Sequence, residues 1–188
     1  MKKLFASLAL ATAVAAPAIA ADTYNIDAFH TFPFFEVNHL GFSTQRGRFE
    51  KTSGTVMLDT AAKKGSVDLN IDVASLDMGF AVWNEHMAAD GFFNTAKFPT
   101  ITFKSTKLVF EGDKVVGAEG DFTLLGVTKP VKLVVSNFKC GSNPINKKEM
   151  CGADISTTIK RSDFGMTKYL GAIGDEIKIS SAVEAYKQ

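Results

Sequence analysis

Side chains able to do acid–base, nucleophilic or metal chemistry are few in this sequence and far apart. Its three histidines are His30, His39 and His86. They fall at a strand edge, a strand end and on a short helix, and none has the i,i+4 or similar spacing that gathers metal ligands. Each reads as a histidine hydrogen-bonded at the mouth of the barrel inferred below, and neither a metal nor a cofactor is expected. His86 follows Asn84 and Glu85, a place where a base and an orienting group stand together. With His30 and Asp163 it supplies the acid–base candidates of an alternative, enzymatic reading. There is no Gly-x-Ser-x-Gly elbow and no phosphate-cradling glycine loop before a helix. Asp163, in Ser162-Asp163-Phe164-Gly165, suits a turn or a polar rim. The arginines, Arg46, Arg48 and Arg161, stand near strand ends, where a guanidinium can meet a carboxylate or phosphate. The expectation is no catalytic set, and a polar rim of His30, Arg46, Asn84, His86, Arg161 and Asp163.

Cys140 and Cys151 enclose a turn-rich segment that begins Gly-Ser-Asn-Pro-Ile-Asn. A redox pair usually has only two residues between its cysteines, and a metal site would need further ligands nearby. A structural disulfide clamping a hairpin end is the simpler reading in an oxidising compartment. Closing a loop of this size is worth about 3 kcal/mol in the chain-entropy model.

The start of the chain points to such a compartment. Lys2 and Lys3 precede an apolar stretch from Leu4 to Val14, which runs into Ala18-Ile19-Ala20. That is the makeup of a secretory signal peptide cleaved after Ala20, and a periplasmic protein is expected. Residues 21–188 then form one domain of ordinary size. No later run reaches the roughly 20 apolar residues needed to cross a bilayer as a helix. The leader's two Lys leave with it, so the remainder carries one more acid than base. A near-neutral chain with scattered Lys has no electrostatic footprint for nucleic acid. With 46% apolar residues and 16 Phe against one Trp and three Tyr, disorder is excluded and a dry interior is favoured.

The elements that must position these residues are strands. Val67, Leu69, Ile71 and Val73 alternate with Ser66, Asp68, Asn70 and Asp72, which is the half-buried strand pattern. Val131, Leu133 and Val135 repeat it, as do Ile155 and Ile159, then Ile177 and Ile179. Ile101 and Phe103 are out of phase with Leu108 and Phe110, which predicts a bulge near 105–107. Strands are expected at 24–28, 32–38, 45–59, 66–74, 100–110, 115–125, 130–140 and 151–160, with another at 175–186. Short connectors at 62–65, 111–113 and 126–129 make neighbours antiparallel. Residues 81–89, with Trp83 and Met87 four apart, read as a short helix. Residues 162–175, with three glycines, read as a long bent loop. Alternation with one polar face excludes a buried parallel sheet, and few helices are present to cover an apolar one. Closure into a single all-β, antiparallel up-and-down barrel of about eight strands is the expected fold. Its hollow interior is lined by Phe35, Val37, Phe49, Val67, Leu69, Ile71, Phe92, Phe93, Phe98, Ile101, Phe103, Val131, Leu133, Ile155 and Ile159. Such an interior accepts a long apolar molecule.

Four segments resemble the YceI-like, lipocalin-like periplasmic proteins. The first is Tyr24-Asn25-Ile26-Asp27 with His30 and Phe35-Glu36-Val37-Asn38-His39-Leu40-Gly41, leading to Arg46-Gly47-Arg48-Phe49. Asn84-Glu85-His86-Met87 with Phe92-Phe93-Asn94 and Phe98-Pro99-Thr100-Ile101-Thr102-Phe103 is similar to the central signature. The stretches 120–131 and 160–166 resemble two more. The resemblance runs in order along the whole chain after the leader. It implies a barrel that sequesters a polyisoprenoid, an isoprenoid quinone or a fatty-acyl chain, with no settled catalytic activity. It also brings a partner expectation, a b-type membrane cytochrome; separately, a long exposed edge strand could pair with a second copy and make a homodimer. The chain departs from the family pattern where an Arg-Asp pair commonly precedes the helix histidine, since Trp83-Asn84 stands there.

Overall fold

A computed structural model describes residues 21–188; the leader assigned to residues 1–20 lies outside the described residues. Seven strands follow one another as an antiparallel meander: β4 (Thr52–Asp59), β5 (Lys64–Asp72), β7 (Thr100–Glu111), β8 (Lys114–Leu124), β9 (Val127–Ser142), β10 (Glu149–Lys160) and β11 (Ile173–Lys187). The first strand, β1 (Asp22–Ile26), closes the sheet by pairing with β4 on one side and β11 on the other. The result is the expected eight-stranded antiparallel barrel. Alternation explains the burial: in β5, Leu69 is buried between exposed Asp68 and Asn70.

Strand β11 is long enough to serve two neighbours. Its end, Ala185–Lys187, pairs with β1, and Ile177–Ser180 pair with β2 (Phe34–His39). Beside β2 lie β3 (Ser43–Phe49) and the two-residue β6 (Leu76–Asp77). The chain crosses from β1 to β2 over the middle of β11. There Thr31, 1% exposed, receives the Glu184 N–H on its hydroxyl at 3.1 Å.

Two expectations need correction. The single strand expected over 45–59 is two strands, because the chain changes partner at Glu50–Lys51 and passes from β2's side to β1's. The main-chain N–H groups of both residues donate to Ser75 Oγ, at 3.1 and 3.0 Å. Alternation cannot report such a switch, since the side chains stay in phase while the backbone partner changes. The connector expected at 126–129 is instead a two-residue turn at Leu125–Gly126, with φ of 53° and 74°. Two positive φ values in a row make the tight turn that matches strand twist, so Val127 already belongs to β9. The register shift between Ser105 and Lys107 falls where the phase change placed it. The helix, α1 (Ala81–Ala88), also lies where expected.

Inside, two apolar clusters stack along the barrel. One, near the Cys140–Cys151 end, holds Tyr24, Leu58, Leu69, Phe103, Leu108 and Val115. The other contains Phe35, Phe49, Val73, Leu76, Phe92, Phe93 and Ile101. Phe93 packs edge-on against Phe49 and Phe35, with ring centroids 5.3 and 5.7 Å apart. Helix α1 buries no residue of its own; Phe92 and Phe93, just after it, anchor it over this end.

Cys140 and Cys151 are register partners on β9 and β10 and form a disulfide, with Cα atoms 4.0 Å apart. Replacing both with Ser should lower unfolding free energy by about 3 kcal/mol through loop entropy. Urea titration of the double variant checks this, and an unchanged midpoint would refute it.

Candidate functional site

The interior holds three chambers in line. The largest, about 270 Å³, lies under α1 and is bounded by Phe35, Val37, Phe49, Ile71, Phe92, Phe93, Ile101 and Ile159 among the residues expected to line it. A middle chamber of about 50 Å³ is bounded by Val131, Leu133 and Ile155, and a third of about 80 Å³ adds Val67 near the disulfide end. Neighbouring chambers share walls. Ile71, Phe122 and Ile159 border the first and second; Leu69, Phe103 and Leu133 border the second and third. They are adjacent apolar chambers whose dividing walls include Phe122 and Phe103. The large chamber falls just short of the ~300–1,000 Å³ usual for ligand sites, and the three together fall within it. Phe98 alone of the expected lining residues is absent from these walls. It sits on the outside of the Leu125–Gly126 turn, with Lys97 Nζ 5.2 Å from its ring.

Four exposed residues also line the large chamber, Phe34 on β2 and Trp83, His86 and Tyr169, the last three around α1 and the 161–173 loop at its mouth. His86 stacks against Phe92 with centroids 4.8 Å apart, and His39 stands 6.4 Å from Trp83. Among the described residues, neither His86 nor Asp163 is hydrogen-bonded to a partner side chain; Asp163 is exposed on the 3₁₀ turn Arg161–Phe164. Of the remaining rim candidates, Asn84 accepts the Met78 N–H at 2.7 Å and holds the approach to α1. Arg46 pairs with Glu36 at 2.8 Å on exposed β-strand surface.

A family model for the YceI-like domain matches residues 24–185. The chain belongs to the YceI-like family. Among its relatives, a UPF0312 protein of Azotobacter vinelandii is 36% identical over 193 residues, covering 100% of both chains. One from Shewanella denitrificans is also 36% identical, covering 100% of this chain and 99% of its own. Burkholderia cenocepacia BcnA has the same fold with a TM-score of 0.72 at 26% identity, over 85% of this chain and 98% of its own. A polyisoprenoid binding domain from Saccharophagus degradans shares the fold at 20% identity with a TM-score of 0.64, over 88% of this chain and 98% of its own.

In this YceI-like chain Arg161 does not stand on the rim. It is 3% exposed, at the edge of the large chamber, and donates to four main-chain carbonyls: Gly174 and Ile173 on β11, and Met166 and Lys168 before it, all at 2.9–3.0 Å. Burial lowers its pKa, opposed by the nearby charge of Asp175. Asp175 in turn accepts the Ser162 main-chain N–H and hydroxyl, at 2.9 and 2.8 Å. The main-chain bond lowers its pKa first, against burial, with the Ser162 hydroxyl and Arg161 assisting. One guanidinium thus ties the 161–174 loop to β11. Spacing gave no sign of this, because the partners are backbone carbonyls. The same loop contributes Met166 and Tyr169 to the chamber wall, which reading it as a plain loop missed. Met78, Met87 and Phe122 were missed likewise, since flexible or bulky apolar residues near turns carry no period.

His30 lies away from the mouth, on the outer wall beside β11. Its Nδ1 is 2.7 Å from Asp27 Oδ2 and 3.9 Å from Glu184 Oε2. Among the described residues these three offer ligand atoms close enough to surround a cation, all within 4.8 Å, but the His30–Asp27 hydrogen bond accounts for their approach without one. That bond and Asp27's charge raise the His30 pKa above 6.5, against burial, with Glu184 adding to the rise. For Asp27, burial works upward but the His30 bond, the Phe29 N–H and the His30 charge outweigh it, and its pKa is lowered below 3.8.

Two tests follow from these contacts. Arg161→Lys leaves at least one buried carbonyl without a donor, and a cost of about 1–3 kcal/mol is expected for each. Hydrogen exchange should speed up across residues 161–174 in this variant; protection equal to wild type would contradict the staple. Separately, the pair's contribution to stability should be complete between the two titrations. It fades as pH falls through Asp27's lowered pKa and as pH rises through His30's raised one. Proton NMR titration of His30 should return its pKa toward 6.5 in Asp27→Asn, and no movement would assign the shift elsewhere.

Proposed function

We propose that this protein sequesters or carries a long apolar lipid in the periplasm, with the tail in the barrel and the headgroup at the mouth under α1. The candidates are a polyisoprenoid, an isoprenoid quinone and a fatty-acyl chain. The observation that carries this is the run of three chambers walled mostly by Ile, Leu, Val, Met and Phe, the largest of them bordered by exposed Trp83, His86 and Tyr169. A fold shared with a polyisoprenoid binding domain is consistent with such a guest. The leader and the disulfide support an exported, oxidised protein.

Magnitudes favour tail-driven binding. Each buried CH₂ contributes roughly 0.8 kcal/mol, so a 16-carbon chain gives about 12 kcal/mol gross. Association itself costs about 4–15 kcal/mol. Micromolar affinity therefore needs no strong headgroup clamp, in keeping with a large chamber whose buried cation, Arg161, is already engaged by main-chain carbonyls. We read the protein as a binder and not an enzyme.

Protein purified from cells should release an extractable isoprenoid or acyl lipid in mass spectrometry, and delipidated protein should take it up again. Ile179 borders both the large and middle chambers, so Ile179→Trp should cut uptake at least tenfold while far-ultraviolet dichroism stays the same. Empty wild-type protein that takes up no isoprenoid, quinone or acyl lipid would overturn the proposal.

A further inference from the structure

The two ends of the barrel differ in polarity. Connectors at the disulfide end are mostly charged: 59–64 carries Asp59, Lys63 and Lys64, 111–114 carries Glu111, Asp113 and Lys114, and 142–149 carries Lys147, Lys148 and Glu149 beside a single large exposed apolar residue, Ile145. At the mouth, three connections end in large apolar side chains that face solvent. Leu40 and Phe42, at the β2–β3 tip, are 50% and 91% exposed; Phe80 and Val82, at the start of α1, are 62% and 59%; Tyr169 and Leu170, in the 161–173 loop, are 56% and 42%.

These tips belong to one surface. The Leu40 N–H donates to the Ala172 carbonyl at 3.0 Å, joining the first to the third. His39 lies 6.4 Å from Trp83, joining the first to the second, and Tyr169 lies 6.3 Å from Phe92, just after α1. The large chamber opens between them. Across residues 40–45, 78–83 and 167–172 the formal charge is that of one residue, Lys168, whose Nζ lies over the rings of Phe92 and Tyr169 at 5.1 and 5.4 Å.

We propose that these three tips dock the mouth onto a lipid bilayer surface, inserting at the headgroup level so that a guest passes between membrane and chamber without crossing water. Clustered exposed apolar side chains are what an interfacial membrane contact requires, and the one cation among the tips, Lys168, complements anionic headgroups. Among the described residues no helix is long and apolar enough to cross a membrane, so the contact is at the interface. A second copy is the competing occupant, since a twofold interface needs a self-complementary patch, and the oligomeric state separates it from a bilayer. The source of the guest rests on the function proposed above; the docking itself does not.

Trp83 is the single tryptophan of the chain and stands among the tips, so its fluorescence reports the contact directly. The full mature protein should float with phosphatidylethanolamine–phosphatidylglycerol vesicles, and bromine-labelled lipid should quench Trp83. Phe42→Ser with Phe80→Ser, at positions too exposed to affect folding, should weaken vesicle partition roughly tenfold per side chain and slow lipid transfer from vesicles. Uptake of the same lipid from detergent should be unchanged. Wild-type protein that stays unbound with unquenched Trp83 would overturn docking, as would a double variant that floats like wild type. Light scattering that shows a dimer dissociated by the two substitutions would assign the tips to a second copy and also overturn it. Floating protein that holds no lipid would instead defeat the carrier function and leave docking standing.

Discussion

Closure of an eight-stranded antiparallel sheet sets the problem that the rest of this structure answers. Such a barrel has a fixed bore, just wide enough for inward side chains to fill or to leave one ligand's space. At the disulfide end, Tyr24, Leu58, Leu69, Phe103 and Leu108 reach far enough to fill most of it. At the other end the strands separate, because β11 passes from β1 to β2 and the wall gains a hairpin, and wall residues alone no longer meet. The chain brings in Phe92 and Phe93 from a connection outside the sheet, and even so leaves the largest of the three chambers there. The cavity is a consequence of bore and side-chain length, and its apolar character follows from the strand alternation that builds the wall.

Polar groups near the mouth serve the architecture before they can serve a ligand. Arg161 is the clearest case. A buried guanidinium is costly unless its donors are used, and here four of them meet carbonyls that a glycine-rich loop would otherwise leave unpaired. The loop gains a fixed course beside the opening, which lets Met166 and Tyr169 act as wall. Asn84 does the same for the approach to α1. With these groups committed, a guest of the kind proposed above would be selected mainly by tail length and shape, against walls that include Phe122 and Phe103.

Much of this was legible in the sequence, for reasons that differ by element. Alternation named the wall, since Val67, Leu69, Ile71, Leu133 and Ile155 can point inward only if their neighbours point out. The phase change between Phe103 and Leu108 located the bulge. The disulfide followed from its enclosed turn. What failed to show was partner identity. Nothing local tells Glu50 that its strand ends, because Ser75, which receives its N–H, is 25 residues away. Phe98 shares the composition of the lining residues, yet its place on the Leu125–Gly126 turn puts it outside. Arg161 is typed as a rim residue by charge alone, and only the folded course of 161–174 reveals that carbonyls have claimed it.

The same reasoning gives the exposed apolar tips their significance. Phe42 at a hairpin apex and Phe80 at a helix start make no contribution to a core they do not reach, and a polar residue would suit either position for solubility, as at the charged turns of the opposite end. Large apolar side chains scattered singly over a surface need no account. Six of them on three connections that a hydrogen bond and ring contacts hold together, around the opening of an apolar chamber, are not a scatter. An apolar guest in water would have to leave one greasy environment before reaching the next, and the hydration of its whole tail would be the barrier. A mouth whose edge is itself apolar removes that barrier by letting the two environments touch, so the polarity of the rim and the polarity of the interior answer to one physical requirement.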